Sequence, residues 1–223
     1  MGHKIQTIPE RIRCRNPFLR DMRLLHSGGQ RTRDRSLRGK ARQSGHGGLR
    51  HSRRLVTSVL PMQPQPIGLS RKEIEEVAEH FAHQVGYQPG RPLDKIVQKL
   101  GGEIHVQDTS NDGQLVVNPD GSFKIFLSPF TGRSRDRFTL AHELGHFVLH
   151  SESGKKPITV PRGASNKLET EANLFAAALL MPAEKFRSVA TQFQQDGAIA
   201  AHFDVSPDAV RVRKQALGVA RPQ

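Results

Sequence analysis

Two histidines with a glutamate beside the first are the residues best suited to chemistry. His142 and His146 are four positions apart, and Glu143 directly follows His142, in the segment RFTLAHELGHFVLH at 137–150. On an α-helix, positions i and i+4 lie on the same face, so both imidazoles can bind one metal ion. Neutral imidazole suits zinc, and a neighbouring carboxylate can accept the proton of a water that attacks a carbonyl. This HExxH pattern predicts a zinc centre with Glu143 as general base.

The residues around the two histidines are mostly apolar, which argues against a chance HExxH on a solvated helix. A helix with this pattern is predicted to be largely buried, where polar groups without partners are costly. The apolar residues are Phe138, Leu140, Ala141, Leu144, Phe147, Val148 and Leu149.

A catalytic zinc site needs a third protein ligand, and a second predicted helix supplies the candidates. Glu169 and Asn173 are four residues apart in a segment that Pro182 ends. Glu169 can complete a His, His, Glu site, and Asn173 can hydrogen-bond the free ring nitrogen of one histidine. Glu171 points about 200° away around this helix and is the weaker candidate.

His150 continues the face of the two histidines but is not a favoured ligand. It would lie about 5.4 Å beyond His146 along the helix axis, too far to share the same ion. We therefore predict a structural role beside a ligand. The long metzincin signature needs glycine at 149 and histidine at 152, and the chain has Leu149 and Glu152, which excludes that class.

The segment FTLAHELGHFVLH, followed by ExxANxFAAxLLMP, resembles the ImmA/IrrE family of zinc metallopeptidases over roughly residues 68–218. The resemblance implies a zincin-like minimal metallopeptidase in which His142, His146 and Glu169 hold Zn²⁺ and Glu143 is the catalytic base. It also implies a protein substrate, a helix-turn-helix transcriptional repressor, in stress response or mobile-element regulation. Since no helix-turn-helix domain is recognisable before the peptidase segment, the repressor is expected to be a separate chain.

A second hypothesis is a zinc-binding regulator that docks on a repressor or on nucleic acid without proteolysis, and a third is a toxin–antitoxin component. The docking hypothesis is motivated by a basic N-terminal arm and by the lack of a recognisable oxyanion donor. The sole tyrosine, Tyr87, cannot be placed in the cleft from the sequence.

The net charge of the chain is concentrated at its N-terminus. Residues 1–60 carry 15 Lys and Arg against 3 Asp and Glu, so most of the formal charge of +13 lies there. This arm is rich in Gly, Ser and Arg and poor in aliphatic residues, which predicts disorder. Its alternative interpretations are phosphate-mediated nucleic-acid binding, a targeting peptide, or translation from a start upstream of an initiator at Met62.

The remaining pattern predicts an α+β domain in which a small antiparallel sheet packs with helices. The predicted organisation is a disordered Arg-rich arm (1–61), a Pro-rich linker (62–67), a metallopeptidase domain (68–218) and a tail (219–223). The region 151–166 is polar and without period, and a mobile loop is predicted there. With one cysteine, Cys14, and no apolar run near the roughly 18 residues of a membrane span, we expect a cytoplasmic protein without a membrane partner.

Overall fold

The computed structural model describes residues 63–108, 113–160 and 166–219. The predicted basic arm lies outside these ranges. Within them, the chain forms helices α1 (Arg71–Val85), α2 (Asp94–Lys99), α3 (Arg133–Leu149), α4 (Asn166–Leu180), α5 (Ala183–Gln192), α6 (Asp196–Phe203) and α7 (Pro207–Leu217), and strands β1 (Gly102–Val106), β2 (Gln114–Val117), β3 (Phe123–Leu127) and β4 (Thr159–Val160). This confirms the predicted α+β class. No helix in the described ranges is both long and apolar enough to cross a lipid bilayer.

Local signals in the sequence set the ends of the outer helices. Ser70 and Glu73 form a reciprocal capping box at the start of α1, and Gly86 ends that helix with a φ of 71°. Ser206 caps α7, with Pro207 at its first position. These caps depend only on neighbouring residues.

The four strands form one mixed sheet in the order β1-β3-β2-β4. β2 and β3 form an antiparallel hairpin around Asn118 and Gly121. The sheet is not wholly antiparallel, because β1 pairs in parallel with β3 on the outer side of the hairpin. β4 pairs with β2 within the region predicted as a loop, which corrects that prediction for Thr159 and Val160. A two-residue strand shows no periodicity and is defined only by its partner.

The helix that carries the HExxH motif packs on one side against α4 and on the other against β2 and β3. Leu144 and Val148 of α3 and Leu115 and Ile125 of the sheet are fully buried in this core. Complete burial of an aliphatic side chain of this size contributes about 1.5–3 kcal/mol to stability. The motif therefore lies on a rigid element, with two neighbouring layers to fix its rotation.

Candidate metal centre

A glycine inside the motif allows α3 and α4 to approach closely. A Cβ atom at Gly145 would lie 3.1 Å from the carbonyl oxygen and 3.2 Å from the Cα atom of Ala172. These are tighter than ordinary van der Waals contacts, so a larger residue would push the helices apart. The close approach allows Glu169, on the first turn of α4, to reach the histidines on α3.

The structure brings the three predicted metal ligands together. His142 Nε2 and His146 Nε2 are 3.0 Å apart. Glu169 Oε2 lies 3.3 Å from His142 Nε2, and Glu169 Oε1 lies 3.5 Å from His146 Nε2. Among the described residues, these side chains form a group whose potential ligand atoms all lie within 4.8 Å of one another. Tetrahedral bonds of about 2.0–2.2 Å would separate ligand atoms by about 3.3–3.6 Å. The two distances from Glu169 to the histidines match this spacing, and the two Nε2 atoms lie slightly closer together.

The donor set also fits a cation chemically. His142 Nδ1 lies 2.9 Å from Asn173 Oδ1. Because an amide oxygen can only accept, this ring nitrogen donates, and in neutral His142 the lone pair is on Nε2, facing the cluster. Glu169 Oε1 is buried and accepts no hydrogen bond from the described residues. A lone pair and a carboxylate oxygen that face one point would repel each other, and a cation between them removes that repulsion.

The pKa shifts of His146 and Glu169 favour the forms that bind metal, whereas the shift of His142 favours its protonated form. Burial, with the neighbouring histidines, lowers the pKa of His146 to about 4, against the raising effect of Glu169. Burial also lowers the pKa of His142, but Glu169, Glu143 and Asn173 outweigh it and raise that pKa overall. The closeness of both imidazoles holds the pKa of Glu169 well below its usual range. An ionised carboxylate and a neutral imidazole are the forms that bind zinc.

Glu143 lies beside the ligands in the same cavity. Its side chain is buried, and its Oε1 atom would be 2.9 Å from a Cβ atom at Gly113, the residue before β2. The cavity has a volume of about 120 Å³ and is lined by Gly113, Phe138, Thr139, His142, Glu143, His146, Val160, Glu169 and Asn173. This space accommodates an ion with several water molecules. The predicted base and the predicted ligands thus share one cavity.

Sequence reasoning missed the sheet side of the cavity. Gly113 and Val160 line it, but they come from strands β2 and β4 or their ends. Val160 lay in the predicted loop, and Gly113 carries no chemical group that would mark it. Gly113 has a φ of +90°. Glycine readily adopts such positive values, so its residue type is the one signal in the sequence for this position.

His150 and Glu171 are not part of the cluster but lie directly behind it. His150 Nδ1 is 2.9 Å from His146 Nδ1, and His150 Nε2 is 3.1 Å from Glu171 Oε2. Glu171 also accepts hydrogen bonds from the backbone N–H groups of Ile67 and Gly68. The structural role predicted for His150 therefore has a definite geometry. Sequence analysis considered Glu171 only as the weaker candidate for the third ligand, and the structure places it against His150 instead.

Tyr87 does not line the cavity. Its hydroxyl accepts a hydrogen bond of 2.7 Å from Nη2 of buried Arg137, which also lies 3.8 Å from Asp204. Burial raises the pKa of Tyr87 to about 12, against a lowering effect of Arg137. This tyrosine joins the end of α1 to α3 and α6, and we assign it a structural role.

A helix-borne pair of histidines, a carboxylate on the next helix and a buried glutamate beside them define the class of HExxH metallopeptidase folds. The chain belongs to the Peptidase_M78 family, the IrrE N-terminal-like domain, which matches residues 103–214. No curated protein matches the chain. Among solved structures it is similar to a Mycobacterium tuberculosis transcriptional regulator, with 17% identity and a TM-score of 0.49, over 63% of this chain and 46% of that chain. The chain thus spans less than half the length of that protein.

Proposed function

We propose that this protein is a zinc-dependent endopeptidase in which His142, His146 and Glu169 hold the metal and Glu143 acts as general base. The observation that carries the proposal is the geometry of one cavity. Three potential ligand atoms converge there, and the buried carboxylate of Glu143 lies on the same helix, one residue from a ligand. Membership of a metallopeptidase family supports the same chemistry.

In this mechanism the metal, Asn173 and Glu143 would have separate roles. Zinc, when bound, supplies Lewis-acid chemistry that polarises the scissile carbonyl and acidifies water. Asn173 fixes the ring of His142 through Nδ1, which keeps Nε2 directed at the ion. Glu143, which lines the same cavity, accepts the proton of the attacking water and delivers it to the leaving amine.

The substrate class is part of the proposal and rests on the resemblance to the ImmA/IrrE family. A DNA-binding repressor with a helix-turn-helix domain is the expected protein substrate, in stress response or mobile-element regulation. An endopeptidase that inactivates such a repressor would switch on the genes that the repressor controls.

The direct test is metal-dependent cleavage by the purified full-length protein. Loaded with one equivalent of zinc, it is expected to cut a library of unstructured fluorogenic peptides. EDTA should reduce the rate to background, and added zinc should restore it. A protein that binds zinc but cleaves no peptide or repressor would contradict the assignment as an endopeptidase, whereas a folded protein without zinc affinity would contradict the metal centre itself.

A glycine-to-alanine change next to the base should separate base positioning from metal binding. In Gly113→Ala the new Cβ would lie 2.8 Å from Thr139 Cγ2 and 2.9 Å from Glu143 Oε1. We expect the displaced carboxylate to lower kcat/KM by about 10–100-fold, because small misplacements of a catalytic group are costly. Zinc affinity should change little. The two quantities are measured by peptide hydrolysis and by competition with a chelating dye.

Gly101→Ala is the matched control for this prediction. Gly101 has a φ of +83°, close to the +90° of Gly113, but no atom lies within 4 Å of its would-be Cβ. Both variants should lose about 1–2 kcal/mol of stability from the left-handed backbone. Equal activity in the two variants would show that Gly113 does not position Glu143.

A further inference from the structure

A buried chain of polar contacts runs from a predicted metal ligand to the backbone at the start of the domain. His146 Nδ1 contacts His150 Nδ1 at 2.9 Å, and His150 Nε2 contacts Glu171 Oε2 at 3.1 Å. The N–H groups of Ile67 and Gly68 donate to Glu171 Oε2 and Oε1 at 2.9 and 2.8 Å. The side chains of His146, His150 and Glu171 are 1%, 0% and 4% exposed, so water does not replace these contacts.

The donor and the acceptor of each contact in this series can be assigned, starting from the backbone N–H groups of Ile67 and Gly68. An ionised carboxylate can only accept, so Glu171 accepts from the two backbone N–H groups and from Nε2 of His150. Neutral His150 then has a lone pair on Nδ1, which must accept from His146 Nδ1. That assignment leaves the lone pair of His146 on Nε2, the atom that faces His142 and Glu169.

We propose that His150 and Glu171, anchored by the Ile67 and Gly68 amides, are positioning residues that hold His146 in its metal-binding tautomer and orientation. This inference rests on the proposed zinc site and deepens it. We call the series of contacts from His146 to Gly68 the ligand relay. Asn173 performs the corresponding task for His142 with one contact, whereas the ligand relay runs from the end of α3 through Glu171 on α4 to the segment before α1.

The ligand relay couples the metal site to the segment that leads into α1. Zinc on Nε2 makes the Nδ1–H of His146 a stronger donor, and hydrogen bonds in series strengthen one another in a buried environment. Because coupling between two sites is reciprocal, a bound ion should also tighten the hydrogen bonds at Ile67 and Gly68. A purely structural contact between α4 and the lead-in segment would not respond to the metal.

The first test is zinc affinity in full-length Glu171→Gln. An amide in place of the carboxylate presents an NH₂ group to one of the donors and weakens the ligand relay at its end on Ile67 and Gly68. We expect the Kd for zinc to rise about 10–100-fold, as for other supports of metal-binding histidines. The control is Glu75→Gln, which disturbs a different partly buried pair, 2.6 Å from Arg213 Nη1, and should leave zinc affinity within about 3-fold while lowering stability.

The second test needs no variant and so does not depend on how Glu171→Gln folds. Amide hydrogen exchange of wild type is followed by NMR with and without zinc. The amides of Ile67 and Gly68 should exchange more slowly in the zinc-bound protein, whereas amides of the α7 cap around Ser206 should be unaffected.

The outcomes separate this inference from the proposed function. Zinc binding by wild type together with an unchanged Kd in Glu171→Gln, or with unchanged exchange at Ile67 and Gly68, would overturn the ligand relay and leave the peptidase proposal intact. No zinc binding by wild type would overturn both. A higher Kd for zinc in Glu171→Gln, together with zinc-dependent protection of the Ile67 and Gly68 amides, would support the ligand relay.

Discussion

Full-length Glu143→Gln is expected to bind zinc like wild type and to cleave peptide substrates about 10²–10⁴-fold more slowly. The range is the usual contribution of a positioned general base. Glutamine keeps the size of the side chain and its hydrogen-bonding capacity, but it cannot take up a proton from water. Glu143 is buried beside the ligands without being one of the three converging atoms, so the metal affinity should be preserved. Hydrolysis rates and zinc content of the same preparations measure both expectations.

Glu184→Gln is a suitable control, because Glu184 is an exposed residue at the start of α5. It should retain wild-type activity. Normal proteolysis by zinc-loaded Glu143→Gln would contradict the role of Glu143. If the variant is inactive but still relieves repression by a cognate repressor in cells, regulation occurs by docking rather than by cleavage, the second hypothesis from the sequence.

The chemical core of the site is predictable because its information is local. The spacing of His142, His146 and Glu143 fixes their places on one helix, whatever the rest of the chain does. The same holds for Glu169 and Asn173, one turn apart on α4. A tertiary contact between α3 and α4 brings these two groups of residues together. The sequence hint for it is Gly145, where a side chain would collide with Ala172.

The features that the sequence did not reveal all depend on contacts between distant segments. β4 is two residues long and is defined by pairing with β2. The parallel pairing of β1 with β3 depends on which side of the hairpin the first strand occupies. Glu171 looks like an outward-facing residue on its helix, and its partners Ile67 and Gly68 lie more than a hundred positions earlier. No periodicity or motif encodes such a partner.

Full-length Glu169→Ala is expected to lose tight zinc binding while keeping its fold. Glu169 supplies the only carboxylate among the three converging side chains, and its oxygens lie 3.3 and 3.5 Å from the two imidazoles. Without it, two histidines on one helix cannot enclose the ion. Elemental analysis should give about one zinc per wild-type chain, as a site with three protein ligands and one open position requires, and much less for the variant.

Thermal unfolding measures the same loss as a free energy. Zinc at 100 times its Kd should stabilise wild type by about 2.7 kcal/mol, and Glu169→Ala should gain almost nothing at the same concentration. Lys167→Ala, an exposed position in the same turn of α4, should respond to zinc like wild type. Full zinc content and full stabilisation in Glu169→Ala would exclude this carboxylate as the third ligand. In that case the ion must be held by other groups, and the assignment of His142 and His146 to a His, His, Glu site would fail with it.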